Sequence, residues 1–125
     1  MRKRTLGDTG LEVPVITLGG NVFGWTVGEP EAFDLLDHAV DVGLNFIDTA
    51  DMYARWVPGN RGGESETILG KWFAKSRKRD QVILATKVGM DMGDGKKGLS
   101  AQYIGQAAED SPARRPRSRQ LADRP

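Results

Sequence analysis

Asn45-Phe46-Ile47-Asp48-Thr49 is the stretch on which the fold turns. It is too short for a helix and too apolar for a loop, so it reads as a buried strand of a parallel sheet, entered from the Gly43-Leu44 turn and leaving Asp48 at its exit. Upstream, Ala32, Leu35, Leu36, Ala39 and Val40 keep helical spacing from Pro30, a favoured first helical residue, until Gly43 stops the helix. Before that helix, Val15-Ile16-Thr17-Leu18 reads as a short buried strand. It runs into Gly19-Gly20-Asn21-Val22-Phe23-Gly24, a glycine-rich loop of the kind that often meets ligands.

Downstream, a long polar loop containing Pro58-Gly59-Asn60-Arg61-Gly62-Gly63 precedes the stripe Ile68, Leu69, Trp72, Phe73, which marks a second helix beginning near Glu64 or Ser65. Gly70 weakens that helix slightly. After a charged turn, Gln81-Val82-Ile83-Leu84-Ala85-Thr86-Lys87 is the third buried strand, so Lys87 occupies the place at its exit that Asp48 holds on its neighbour. Ser100 can cap a third helix running through Ile104, Ala107 and Ala108 to about Ser111, and Pro112 is expected to end it. At the start of the chain, residues 3–6 and 12–16 flank Gly7-Asp8-Thr9-Gly10 as a hairpin would, with Pro14 marking an edge strand. Three strands with two intervening helices imply right-handed βαβ units and a parallel sheet of the α/β class, open or closed.

Composition narrows the chemistry. With 38% hydrophobic and 28% charged residues, the chain fits a globular α/β domain and shows neither wholesale disorder nor a membrane span. The absence of cysteine excludes disulfide scaffolds, thiolate catalysis and Cys-based zinc sites, and the single His38 cannot build a metal centre by itself, so no metal is expected. The basic Met1-Arg2-Lys3-Arg4 is followed by Thr5-Leu6-Gly7-Asp8 where a secretory signal needs an apolar stretch, so the expected location is cytoplasmic. Residues 112–125 carry five arginines against one aspartate, three prolines and a single leucine, which reads as a disordered Arg/Pro-rich tail. Without aromatics for base stacking or a supporting basic face elsewhere, this tail gives no case for a nucleic-acid partner.

In parallel α/β sheets ligands bind at the carboxyl ends of the strands, which points to Gly20-Asn21, Asp48 and Lys87. A dinucleotide fingerprint fails because asparagine stands where the second glycine belongs, and a phosphate loop fails because Trp72 follows Gly70-Lys71. A serine hydrolase triad would need His38, which helical phase puts at the surface. What survives is Asp48, Tyr53 and Lys87, an acid, a phenol and an ammonium brought to one rim. A phenol donates its proton poorly near neutrality, but an adjacent ammonium stabilises the phenolate and makes the phenol a better acid. The carboxylate would orient the ammonium and hold it charged. Taken singly each residue has a bland explanation, as a solvated lysine, a turn-capping aspartate or a packed tyrosine; the combination shifts the odds.

Gly43-Leu44-Asn45-Phe46-Ile47-Asp48-Thr49-Ala50-Asp51-Met52-Tyr53, then Gly63-Glu64-Ser65-Glu66-Thr67-Ile68-Leu69-Gly70 and Ala85-Thr86-Lys87, resemble the aldo/keto reductases. Arg4-Thr5-Leu6-Gly7-Asp8-Thr9-Gly10-Leu11-Glu12-Val13-Pro14 is similar to that family's hairpin, and Trp56-Val57-Pro58-Gly59-Asn60 resembles a bacterial subgroup acting on small or sugar-derived aldehydes. The resemblance covers roughly residues 1–111. It implies a (β/α)₈ TIM barrel, of which this chain supplies about three of eight βα units preceded by a β-hairpin. It also implies NADP(H), with Tyr53 protonating a small-molecule carbonyl substrate, Lys87 and Asp48 assisting, Gly20, Asn21 and Val22 against the cofactor, and Asp48 at the nicotinamide ribose.

The family's fourth catalytic residue is a histidine at the end of the fourth strand, and no histidine follows His38 here. The 125 residues are about half of the roughly 250 of a full barrel. The expectation is therefore a truncated reductase, weakly active or inactive alone, with a reading-frame shift near Ser111 and unpaired sheet edges that favour aggregation. A non-catalytic protein that senses the cofactor on the same scaffold is the alternative.

Overall fold

The computed structural model describes residues 1–114, with side chains described as far as Ser111. An antiparallel hairpin comes first, strand β1 (Lys3–Thr5) pairing β2 (Glu12–Pro14) with Arg4 opposite Val13. A three-stranded parallel sheet follows, built from β3 (Leu18–Gly19), β4 (Phe46–Asp48) and β5 (Ile83–Ala85) in that spatial order. Helix α1 (Glu29–Asp41) connects β3 to β4, α2 (Glu64–Ser76) connects β4 to β5, and α3 (Ala101–Arg114) follows β5. The βαβ alternation read from the sequence is thus present, in parallel register: Gly19 opposite Asp48, and Asp48 opposite Ala85.

The helix starts carry the local signals expected of them, although only α3 has a side chain capping it. Pro30 lies in the first turn of α1, and α2 begins after Gly63, whose positive φ of 82° turns the chain into the helix. The Ser100 hydroxyl oxygen accepts the Tyr103 N–H at 3.2 Å and caps α3. Ala32, Leu36 and Ala39 bury one face of α1. Ala32 and Leu36 share a core with Phe23, Ile47, Ile68, Leu69, Trp72, Phe73 and Val82. Ile47 is fully buried in that core, whereas its strand neighbours Phe46 and Asp48, pointing to the other face, are partly exposed. The indole of Trp72 hands its N–H to Asp37 at 3.2 Å, so its ring is buried without leaving a donor unmet.

Four expectations need correction. Val15 and Ile16 do not form a buried strand; they are 45% and 57% exposed, because the chain bends after the hairpin and only Leu18 and Gly19 lie opposite β4. The third strand is shorter than residues 81–87, since Gln81 ends a 3₁₀ turn (Arg79–Gln81) and Thr86 and Lys87 run past the ladder. Leu35 follows helical spacing but lies 39% exposed at the margin of the α1 face. Pro112 does not end α3, which continues to Arg114; the proline forfeits one helical N–H, and the last turn tolerates that loss. The rest of the segment read as a tail, residues 115–125, lies outside the described residues.

At Gly20 the chain leaving β3 lies close against α2 and β4. A Cβ there would meet the Ser65 hydroxyl at 2.9 Å and the Asp48 carbonyl at 3.1 Å. Both backbone groups of Gly20 are used: its N–H donates to the Asp48 carbonyl at 2.7 Å, and its carbonyl accepts the Ser65 hydroxyl at 2.7 Å. Overpacking of this kind costs about 1–3 kcal/mol. Gly20→Ala is therefore expected to lower Tm by roughly 5–15 °C in a calorimetric scan; an unchanged Tm would show that the contact relaxes freely.

Candidate active site

The carboxyl ends of β4 and β5 set the site. Asp48 is the last residue of β4, and its pairing with Ala85 places Lys87 two residues beyond, on the same rim. The chain stays paired past the strands: the Thr49 N–H donates to the Ala85 carbonyl at 2.8 Å and the Asp51 N–H to the Lys87 carbonyl at 3.2 Å. Lys87 Nζ reaches both oxygens of Asp48 at 2.7 Å and the Thr49 carbonyl at 2.8 Å. Tyr53, carried on the loop between β4 and α2, donates its hydroxyl to Asp48 Oδ2 at 3.0 Å. The ammonium also lies 4.6 Å from the centroid of the Tyr53 ring.

Asp48, Tyr53 and Lys87 therefore form one connected group. Burial works against the Lys87 ammonium, but its interactions with Asp48 and Tyr53 outweigh burial and hold its pKa above the ordinary lysine value of 10.5. The side chains of Lys87 and Asp48 are 50% and 33% exposed, so the pair meets solvent and stays accessible to a ligand.

The glycine-loop residues divide. Gly20 is buried and fully used in backbone contacts. Val22 packs on the core. Asn21 is exposed beside them. His38 is exposed on α1, away from this rim.

Other residues at the rim carry weight that local sequence patterns did not mark. Ser65, at the start of α2, joins both neighbouring strand exits by donating to the Gly20 carbonyl and sharing a 2.9 Å hydrogen bond with Thr49. Asn60 ties two loops together, its amide donating to the Gly24 and Ala54 carbonyls at 3.0 Å each. Ala54, directly after Tyr53, sits at φ 68° and is fully buried, so the tyrosine loop is held in a conformation that non-glycine residues seldom adopt. Trp56 packs edge-on against Tyr53 and against Trp25, with centroids 6.3 and 5.6 Å apart. Buried Glu66 accepts hydrogen bonds from Thr86 and Ser111. The signal available for Ser65 and Glu66 was polarity at buried phases of a helix, but their partners lie 45 and 20 residues away, beyond any local pattern.

Among the described residues, no helix is long and apolar enough to cross a membrane. The model of the aldo/keto reductase family matches residues 15–115. The chain is 59% identical over 93 residues to an uncharacterised 11.2 kDa protein of Pseudescherichia vulneris, covering 74% of this chain and 90% of that one. It is 46% identical over 84 residues to YrpG, an uncharacterised oxidoreductase of Bacillus subtilis, covering 66% of this chain and 25% of the relative. An aldo-keto reductase of Bacillus halodurans, solved in its holo form, superposes with a TM-score of 0.72 at 35% identity, covering 91% of this chain and 36% of that structure. The chain thus spans about a quarter to a third of the curated oxidoreductases it matches, and its three βα units with their preceding hairpin are the N-terminal part of a (β/α)₈ barrel. With the family model running over most of its length and a barrel reductase underlying nearly all of its fold, this chain belongs to the aldo/keto reductase family.

Proposed function

We propose that this chain supplies the proton-donating part of a carbonyl reductase, an oxidoreductase that turns aldehydes or ketones into alcohols with NADP(H). The observation that carries the reading is the hydrogen-bonded group of Asp48, Tyr53 and Lys87 at the strand ends. In it a phenol, the proton source, lies against an ammonium that stabilises the phenolate left behind. Residues 1–111 form the reductase portion in this proposal.

The family generally uses NAD(P)H, and the residues at the rim fit such a group. Asp48 Oδ1 accepts a bond from Lys87 and belongs to a side chain one-third exposed, which leaves acceptor capacity for a sugar hydroxyl. Asp48 and Asn21 would hold the cofactor, with Gly20 and Val22 shaping the turn that presents Asn21. When bound, NADP(H) supplies a hydride.

The chain's own residues do the rest. Tyr53 offers its hydroxyl proton to the substrate oxygen. Lys87 stays charged, and its ammonium next to the ring lowers the cost of the phenolate. Asp48 anchors the ammonium, and the Thr49 carbonyl fixes its third direction. Trp25 and Trp56, each about half exposed, line the approach to Tyr53 with aromatic surface.

Tyr53→Phe keeps the ring and removes the proton. Turnover of NADPH with a panel of small aldehydes is expected to fall by about 10²- to 10⁴-fold, and indifference to the substitution would overturn the role of Tyr53.

The raised pKa of Lys87 has a definite sign. A lysine whose folded pKa exceeds its unfolded value stabilises the fold fully below the unfolded value of 10.5 and loses that contribution as pH climbs through the folded value. The stability difference between the wild type and Lys87→Met, from urea melts, is expected to stay constant from about pH 7 to about pH 9 and to shrink above the unfolded pKa.

A further inference from the structure

Glu66 is a carboxylate only 1% exposed, on the buried face of α2, and proton donation by Tyr53 makes no use of it. Burying a carboxylate is costly unless it is hydrogen-bonded, and here one of its oxygens is met by two hydroxyl groups. Thr86 donates to Glu66 Oε1 at 2.6 Å and Ser111 donates to the same oxygen at 2.9 Å. One oxygen therefore joins three segments: α2, the exit of β5 and the end of α3.

The exit of β5 is the segment that matters for the site. Thr86 is the residue before Lys87, past the end of β5, between the Ala85 carbonyl taken by the Thr49 N–H and the Lys87 carbonyl taken by the Asp51 N–H. Two ties hold this stretch from opposite sides: the Asp51 N–H grips the Lys87 carbonyl at 3.2 Å, and Glu66 grips the Thr86 side chain. Between them lies a cavity of about 170 Å³ lined by Asp51, Glu66, Thr86 and Lys87, with Ile104 and Ala107 of α3 on the far wall. The cavity leaves one side of this stretch open, so its hydrogen bonds help set where the lysine side chain starts.

We propose that Glu66 is a positioning residue for Lys87, acting through Thr86 to fix the strand exit from which the ammonium reaches Asp48. This rests on the reading of Lys87 as the charge partner of Tyr53. It extends that reading to a residue on α2, which also accepts a hydrogen bond from Ser111 of α3.

The test follows the ammonium itself. In the full 125-residue chain labelled with ¹⁵N-lysine, the Lys87 Nζ signal is assigned by its loss in Lys87→Met, and its proton exchange with water is measured. An ammonium held by Asp48 and the Thr49 carbonyl exchanges slowly. Thr86→Val keeps shape and removes the donor, and because Thr86 is exposed the variant is expected to fold. Exchange at Lys87 should speed up about tenfold, as for loss of one hydrogen bond to a charged group. Glu66→Ala should do the same, while Glu66→Gln, which keeps a carbonyl oxygen as acceptor, should stay near wild type. Ser111→Ala should leave Lys87 unchanged.

Unaltered exchange in Thr86→Val would overturn the proposal, and so would equal acceleration in Ser111→Ala, which would mark a general loosening of the helices. The readout needs no turnover. Activity that is indifferent to Tyr53→Phe alongside the expected exchange pattern would sink the reductase reading and leave the positioning intact, while the reverse result would do the opposite.

Discussion

Everything at this rim depends on one carboxylate being shared. Asp48 receives both the Lys87 ammonium and the Tyr53 hydroxyl, and it can do so only because the parallel ladder sets Asp48 against Ala85. A register slip of one residue would turn Asp48 to the face where Ile47 now lies buried and would place Ile47 at the rim. The apolar core under α1 and α2 therefore does more than stabilise. Ile47 in that core selects the register, and the register decides which side chains reach the rim.

An ion pair this exposed contributes little by itself to folding, and the surroundings show what restrains it instead. Lys87 has a third acceptor in the Thr49 carbonyl, so the ammonium is aimed as well as attracted. Thr49 in turn shares a hydrogen bond with Ser65, and Ser65 donates to the Gly20 carbonyl. The rim is thus a chain of short polar contacts running from β3 through α2 to β4 and β5. Gly20 suits that chain because a Cβ there would press on both the Ser65 hydroxyl and the Asp48 carbonyl.

Much of this was legible in the sequence, and the parts that were not share a cause. Helix starts near Pro30, Glu64 and Ser100, the buried Ile47 and the strand-end places of Asp48 and Lys87 follow from local period, capping and the rule that parallel sheets bind at their carboxyl ends. Val15 and Ile16 misled because an apolar, β-branched pair looks like a strand wherever it stands; only the distance to β4 shows that the pairing starts at Leu18. Ser65 and Glu66 were passed over because a polar residue at the start of a helix normally signals a cap or solvent. Their actual partners are reached only after the sheet has formed. The sequence singled out Tyr53 beside Asp48 and Lys87, while the left-handed turn at Ala54 and the Asn60 amide that hold its loop were not legible.

The direction of the phenolic proton gives the arrangement its logic. A carboxylate offers only acceptors, so in the Tyr53 contact with Asp48 the hydroxyl is the donor and its proton points at Oδ2. Serving a carbonyl oxygen requires the hydroxyl to turn away, giving up a hydrogen bond to a charged group that is worth about 1.5–3 kcal/mol. Asp48 is not stranded by that turn, because Lys87 still donates to both of its oxygens. Nor is the phenolate stranded once the proton has left, because the same ammonium lies beside the ring. With aspartate and tyrosine alone, the phenol would be held in place by a partner that opposes its ionisation, since two negative groups would face one another. In the proposed reaction the lysine would relieve that opposition, because its ammonium lies against both the carboxylate and the ring and so gives each state of the tyrosine a charged neighbour of the right sign.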